Sequence, residues 1–280
     1  MEGGYPGVGM AQHEVSVRGV PEWIGPERLL DARGWAARVE GETTVYEGAR
    51  ASTEAADVQA RLRGLVLDGV FVSVDVRPAL SRARVREARL VDARRRRVTT
   101  PGFDRAGCRV DDEGRWSLTP AAIALRIGEQ ARGRPVLDLG CGAGGNSIGF
   151  ARAGSTVVAV ERDAARILSA QHNARVYGVE DKICFEHGDA TAWLSKAQGQ
   201  LVFVDPPWGK GARSSPQRLD DLPLLLRLHG DRGPPGELWA KVPASFDTRT
   251  VAPCEREAIF GVAEGDRRFV KFVLLRWGAS

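Results

Sequence analysis

The sequence predicts an α/β fold: a mostly parallel sheet of seven strands closing in an antiparallel hairpin, preceded by a small α+β domain. Three observations carry this. From residue 110 onward, short apolar runs alternate with helical segments, which implies crossover units and a parallel sheet. The last two apolar runs, "REAIFGV" and "RFVKFVLLRW", have only a short turn between them, so they must pair antiparallel. Between the first strand and the helix after it lies "DLGCGAGG", a turn of the kind that brings backbone close to a ligand.

The elements follow in order. Residues 1–11 read as a disordered lead, with no basic stretch before an apolar one to suggest a signal peptide. An accessory domain spans 12–105. In it, "TEAADVQARLRGLVLDG" puts Ala55, Val58, Leu62 and Leu65 at helical spacing, with Ser52 or Thr53 as cap and Gly69 as stop. "GVFVSVDVRP" alternates as a strand, and "REARLVDA" is taken as the next one, leaving the arginine run in a turn. The second domain spans 106–280. "VDDEGRWSLTPAAIALRI" opens a helix, with Thr119 as cap and Pro120 at the first helical position. The strands are then "PVLDLGC", "TVVAVE", "KICFEHG", "LVFVDPP", "GELWAKVP" and the final pair, with helices from Gly145, over 163–177 and near 218–229.

Composition excludes some classes and leaves others. At 43% hydrophobic and 27% charged residues, the 280-residue chain is ordinary for a globular protein, and no apolar run approaches a membrane span. Cys108, Cys141, Cys184 and Cys254 carry no zinc-type spacing, so reduced thiols in a cytoplasm are expected and no metal is required. Charge is unevenly placed. Residues 1–76 hold 7 Arg against 12 acids, whereas residues 77–109 hold 11 Arg against 3. That basic segment, with Arg94, Arg95, Arg96 and Arg97 consecutive, suits a phosphate-bearing partner such as RNA. The plainer account is a solvated turn in a chain that prefers arginine, since only five lysines occur.

Gly140-x-Gly142-x-x-Gly145 lies between a strand and a helix, and Glu161 follows at the end of the next strand, where a carboxylate can take both hydroxyls of a ribose. Nicotinamide cofactors and S-adenosylmethionine both fit. Three features favour the second: Asp138 inside the first strand, able to meet an ammonium group; Asp189 in "GDA" after the third strand, placed for an adenine amine; and Asp-Pro-Pro-Trp at the end of the fourth.

Residues 108–250 resemble the class I methyltransferases that use S-adenosylmethionine, and among them the trimethylguanosine synthase (RNA cap guanine-N2 methyltransferase) family. The stretches that carry the likeness are "DDEGRWSLTPAAIALRI", "VLDLGCGAGGNSIGFARAG", "HNARVYGVEDKICFEHGDA" and "VFVDPPWGK". The resemblance implies a Rossmann-like fold, with Trp116, Ser117, Thr119 and Pro120 bordering the cofactor. It puts Asp138, Gly140, Gly142 and Asn146 at the cofactor's amino-acid end, Glu161 on its ribose and Asp189 on its adenine. Two positions depart from the family pattern. Asp205 stands where the family has serine, and Lys210 where it has a second glycine. Both touch the substrate side and leave the cofactor side of the pattern intact.

The stretch "DPPW" then has a chemical reading. Exocyclic base amines are poor nucleophiles, because their lone pair is delocalised into the ring. Asp205 and the Pro206 carbonyl supply two acceptors for such an amine, Pro207 stiffens the loop, and Trp208 offers a plane for the base. Pro207, Trp208, Lys210 and the four arginines are the substrate-side candidates. The competing account is that Trp208 only caps the core. The expected activity is methylation of a base amine, guanine N2 in RNA first; a small heteroaromatic or nucleoside-like metabolite is the alternative, with the first domain as lid or dimer interface. His172 and His187 are expected to have no catalytic part, and Trp239 and Trp277 to be core.

Overall fold

The computed structural model describes residues 12–30, 34–193, 196–197, 199–209, 211–212, 214–230 and 236–278. The expected lead over 1–11 and Lys210 lie outside these.

The chain begins with β1 (Gln12–Pro21), α1 (Pro26–Leu29), β2 (Ala36–Glu40), β3 (Thr43–Ala51), α2 (Ser52–Leu62), β4 (Val66–Leu67), β5 (Val70–Phe71), β6 (Ser73–Arg77) and α3 (Arg82–Arg95). Four of these strands form an antiparallel sheet in the order β2-β3-β1-β6. Several expectations fail here, among them the single strand over "GVFVSVDVRP", which is split into β5 and β6 in different sheets. The helix with Val58 stops at Leu62 rather than Gly69, and Ala51, not Ser52 or Thr53, is its N-cap. The remaining "LVLDGVF" is a hairpin, β4–β5, turned at Asp68 and Gly69, which both have positive φ (50° and 74°). Asp-Gly is the dipeptide that such a tight turn favours, and it overrides the helical spacing of Leu65. "REARLVDA" is not a strand but the middle of α3. Ser81 caps that helix by accepting from the Arg84 amide, and i,i+3 and i,i+4 ion pairs, Arg84–Glu87 and Arg96–Asp92, support it. Only Asp92 among its residues is buried.

The second part runs α4 (Asp112–Ser117), α5 (Ala121–Gln130), β7 (Val136–Leu139), α6 (Gly145–Arg152), β8 (Val157–Glu161), α7 (Ala164–Tyr177), β9 (Ile183–His187), α8 (Ala190–Trp193), β10 (Leu201–Val204), α9 (Pro223–His229), β11 (Leu238–Val242), β12 (Glu255–Phe260) and β13 (Val270–Trp277). Its seven strands lie in the order β12-β13-β11-β10-β7-β8-β9; only the pairs made by β13 are antiparallel. This is an open, doubly wound sheet, in which the order reverses between β7 and β10 and a crevice opens at the strand ends. Strands β7, β10 and β11 are buried at every position, as central parallel strands should be. Trp239 and Trp277 are core, 2% and 5% exposed. Thr119 does not cap α5: Pro120 occupies the N-cap position without a side-chain bond, and the Gly102 carbonyl accepts from the Ala121 amide instead.

Two anchors hold the first part to the strand-end edge of the large sheet. Asp68 accepts from the Trp23 indole and the Thr248 amide, while its own amide donates to the Ala244 carbonyl. Beyond α3, the Thr100 amide and hydroxyl donate to the two oxygens of Asp266 (both 2.8 Å), which also pairs with Lys271. Burial pushes the Asp266 carboxyl up, but those bonds win and hold it below the usual range. No helix among the described residues is long and apolar enough to cross a membrane.

Candidate active site

A cleft of about 920 Å³ opens at the ends of β7, β8, β9 and β10. Its floor is the turn after β7, where Gly140 (φ 87°) and Gly142 (φ 54°) adopt the left-handed conformation that only glycine takes without strain. A Cβ on Gly142 would meet nothing within 4 Å, so the backbone there faces open space. Glu161, 7% exposed, holds this turn: one of its oxygens accepts from the Gly142 amide and the other from the Asp163 amide, both at 3.0 Å. Each oxygen keeps a lone pair for a further donor. Across the cleft, Asp189 accepts from the amide and hydroxyl of Thr191.

Beneath the turn, Asp138 is fully buried with Ser147 donating to Oδ2. Burial, then the neighbouring Asp205 and Glu161 charges, push its carboxyl up to about 7 against the Ser147 bond. Asp138 Oδ1, Asn146 Oδ1 and Thr119 Oγ1 are buried with no partner among the described residues. Orphaned acceptors are costly, and three of them at one end of the sheet match a ligand that brings its own donors, such as an ammonium group and hydroxyls.

The fourth strand delivers Asp205, whose side chain is 13% exposed. Its Oδ2 receives Lys241 Nζ at 2.7 Å and Asn146 Nδ2 at 3.2 Å; Oδ1 has no hydrogen bond among the described residues. Burial raises this carboxyl above its ordinary pKa, while Lys241 and then Asn146 pull it down. Lys241, 2% exposed on β11, also donates to the Ser117 carbonyl at 2.7 Å and lies 5.1 Å from the Trp208 ring centroid. It therefore ties together the strand-end acid, the tryptophan and the segment ahead of α5. Nothing in the sequence reading singled it out. The available signal was a lysine inside "LWAKV", an otherwise wholly apolar strand.

Trp208 is half-buried, with its indole N–H on the Lys241 carbonyl at 3.4 Å and its ring against the core on both faces of the sheet. It packs as a cap does and still borders the cleft. Pro206, Pro207, Gly140, Gly142, Asn146, Glu161, Asp189, Ser117 and Thr119 border the cleft as well. Trp116 stands at the rim, 83% exposed, on α4, which Arg166 clamps through Asp111 and Glu113. Pro120 and Asp138 lie behind the wall rather than on it, both buried. Arg94 to Arg97 do not border the cleft. Arg95 pairs with Asp57, and Arg96 pairs with Asp92 and stacks on Phe269. His172 bonds the Gly107 carbonyl and His187 the Arg162 carbonyl, and neither borders the cleft.

Residues 133–221 match the family described as RNA cap guanine-N2 methyltransferase. The chain is 32% identical over 115 residues to the trimethylguanosine synthase of Schizosaccharomyces pombe, covering 35% of this chain and 48% of that protein. It is 33% identical over 117 residues to the trimethylguanosine synthase of Saccharomyces cerevisiae, covering 38% and 37%. The chain thus spans half or less of these relatives. Among solved structures, an RNA methyltransferase from Salinibacter ruber in complex with S-adenosyl-L-homocysteine is 25% identical, with a TM-score of 0.38 over 57% of this chain and 91% of that one.

Proposed function

We propose, from the premise that this chain carries a class I S-adenosylmethionine-dependent methyltransferase domain of the trimethylguanosine synthase-like family, that the protein methylates an exocyclic base amine, guanine N2 in RNA. One observation carries the reading: a half-free carboxylate, Asp205, stands at a strand end beside Trp208, in the same cleft as the glycine turn, Glu161 and Asp189.

When bound, S-adenosylmethionine supplies an electrophilic methyl group on a sulfonium. The residues fit that group. Glu161 has lone pairs left for ribose hydroxyls, Asp189 for the adenine amine, and the unpartnered Asn146 Oδ1 on the cleft wall suits an ammonium, with the buried Asp138 carboxyl behind it. Asp205 Oδ1 and the Pro206 carbonyl accept the two hydrogens of the base amine, which fixes the direction of the nitrogen lone pair. As the amine is alkylated and becomes cationic, Oδ1 stabilises that charge and takes the proton released. Burial, by raising its pKa, suits Asp205 to hold a proton briefly. Trp208 stacks the base, a contact worth about 1–3 kcal/mol in nucleic-acid sites. Trp116, on its clamped helix, closes the rim.

The deciding experiment is tritium transfer from labelled S-adenosylmethionine into total RNA, DNA and a small-molecule extract, followed by digestion and nucleoside chromatography. Label in N2-methylguanosine from RNA supports the reading; label only in a metabolite supports the second one. That second reading has its own observation: two of the four consecutive arginines are already engaged within the chain.

Two further outcomes are expected. S-adenosylhomocysteine should raise the melting temperature, by the equivalent of about 2.7 kcal/mol at a hundredfold excess over Kd, and Glu161→Ala should largely abolish the shift. Its affinity should weaken as pH falls through about 7, where Asp138 becomes protonated and its negative charge behind the ammonium end of the cleft is lost. Asp138→Asn should flatten that dependence in calorimetry. Separately, Trp208→Ala should weaken substrate binding about 5- to 100-fold with little dependence on salt, while Trp208→Phe keeps most of it. A phenylalanine variant as weak as alanine would show that the indole N–H on the Lys241 carbonyl matters more than stacking.

A further inference from the structure

The consecutive arginines drew attention in the sequence, but the folded helix points elsewhere. Along α3, Arg82, Arg86 and Arg89 follow one another at i, i+4 and i+7, so they line one face over about 10 Å. All three are exposed, and none has a carboxylate partner among the described residues. The face toward α2 is a different one, made by half-buried Val85 and Ala88 and buried Asp92, with Arg95 reaching Asp57. Over residues 82–97 there are eight arginines against Glu87 and Asp92, although the 76 residues ahead of the basic segment are net acidic. The positive surface is therefore local to this helix.

Its position follows from the sheet. Strand β12 runs parallel to β11 and β13 antiparallel, so the loop 261–269 between them emerges on the same edge as Asp205. The end of α3 sits on that loop: Arg96 lies over the Phe269 ring at 4.4 Å, and Thr100 is bound to Asp266. From β10 to β12 is three strand spacings, about 14 Å. Arg89 and Arg82 lie about 10 and 21 Å further along α3 from that anchored end, a span that a strand of RNA with one base in the cleft covers with several more nucleotides.

We infer that the Arg82–Arg86–Arg89 face of α3 is a phosphate rail that holds the backbone of single-stranded RNA while a base occupies the cleft. This rests on the RNA reading above and adds to it the place where the flanking nucleotides bind. Charge complementarity carries it. Three unpaired guanidinium groups at helical spacing release counterions on meeting phosphates, which gives affinity without sequence preference.

The test is the salt dependence of binding of a fluorescein-labelled single-stranded 20-nucleotide RNA to the full chain, for wild type and Arg82→Gln/Arg86→Gln/Arg89→Gln. The triple variant should bind roughly tenfold to a hundredfold more weakly at 0.1 M salt, with the slope of log affinity against log salt shallower by about 2. Arg175→Gln, on α7 at the far flank of the sheet, should change neither. The exposed substitutions should leave the S-adenosylhomocysteine melting shift intact, which shows that the variant is folded. If wild type binds RNA and the triple variant binds with the same affinity and slope, the rail is wrong and the RNA reading stands. If wild type shows no salt-dependent RNA affinity, both fall.

Discussion

Asp205→Ala should lower kcat by about 10²–10³-fold while S-adenosylhomocysteine affinity stays within a few-fold of wild type. The loss is of the size seen when one preorganised polar group is removed from a developing charge. The acceptor role of Oδ1 grows as the amine becomes cationic, so the effect belongs in kcat and not only in KM. Single-turnover transfer to an RNA or nucleotide substrate measures it directly. A change confined to KM would make Asp205 a binding group and sink the amine-activation mechanism. The alanine variant also leaves Lys241 and the Asn146 amide without their shared acceptor, so its stability must be measured in parallel. Asp205→Asn is the cleaner probe. It keeps an acceptor oxygen but loses the charge and one lone-pair pattern, and partial activity is expected. If asparagine were fully active, the carboxylate charge would have no part in the step.

Much of this arrangement was readable in advance because the relevant strands are unbroken apolar runs with sharp ends. Pro206 and Pro207 stop β10 and leave Asp205 at its tip; Gly140 ends β7; Asp163 caps α7 and so fixes the end of β8 beside Glu161. Each of these is a local signal. The misread elements were ones where a tertiary or electrostatic term outweighed spacing. Helix α3 has almost no apolar face to betray it, and its support comes from a serine cap and charge pairs. The β4–β5 hairpin hid inside a helical pattern because Leu62 and Leu65 kept helical spacing up to the Asp68–Gly69 turn. The deepest omission was Lys241. Its partners, Ser117 and Asp205, lie 124 and 36 residues away, so no window of sequence contains the cluster. A lysine in a buried strand demands a partner, but only the fold says which.

Lys241→Met should therefore be among the most damaging single changes, and in two separable ways. The first is stability. Breaking a buried ion pair by removing one member leaves an uncompensated charge, at a cost of about 3–5 kcal/mol, and the Ser117 carbonyl loses its donor as well. Calorimetric unfolding reads this. The second is pH dependence. Asp205 stabilises the developing cation and takes its proton only when ionised, so activity falls as pH drops through its pKa. Burial already raises that pKa, and Lys241 is the largest influence pulling it down. Removing the lysine must raise it further, and the acid limb of kcat moves to higher pH. Lys241→Gln separates the effects, because it can still donate to Ser117 but carries no charge. It should recover part of the stability yet show the same shifted limb. If both variants lose activity equally at every pH with the limb unmoved, Lys241 serves only to hold the segment before α5 in place, and the charge of Asp205 is set by something else.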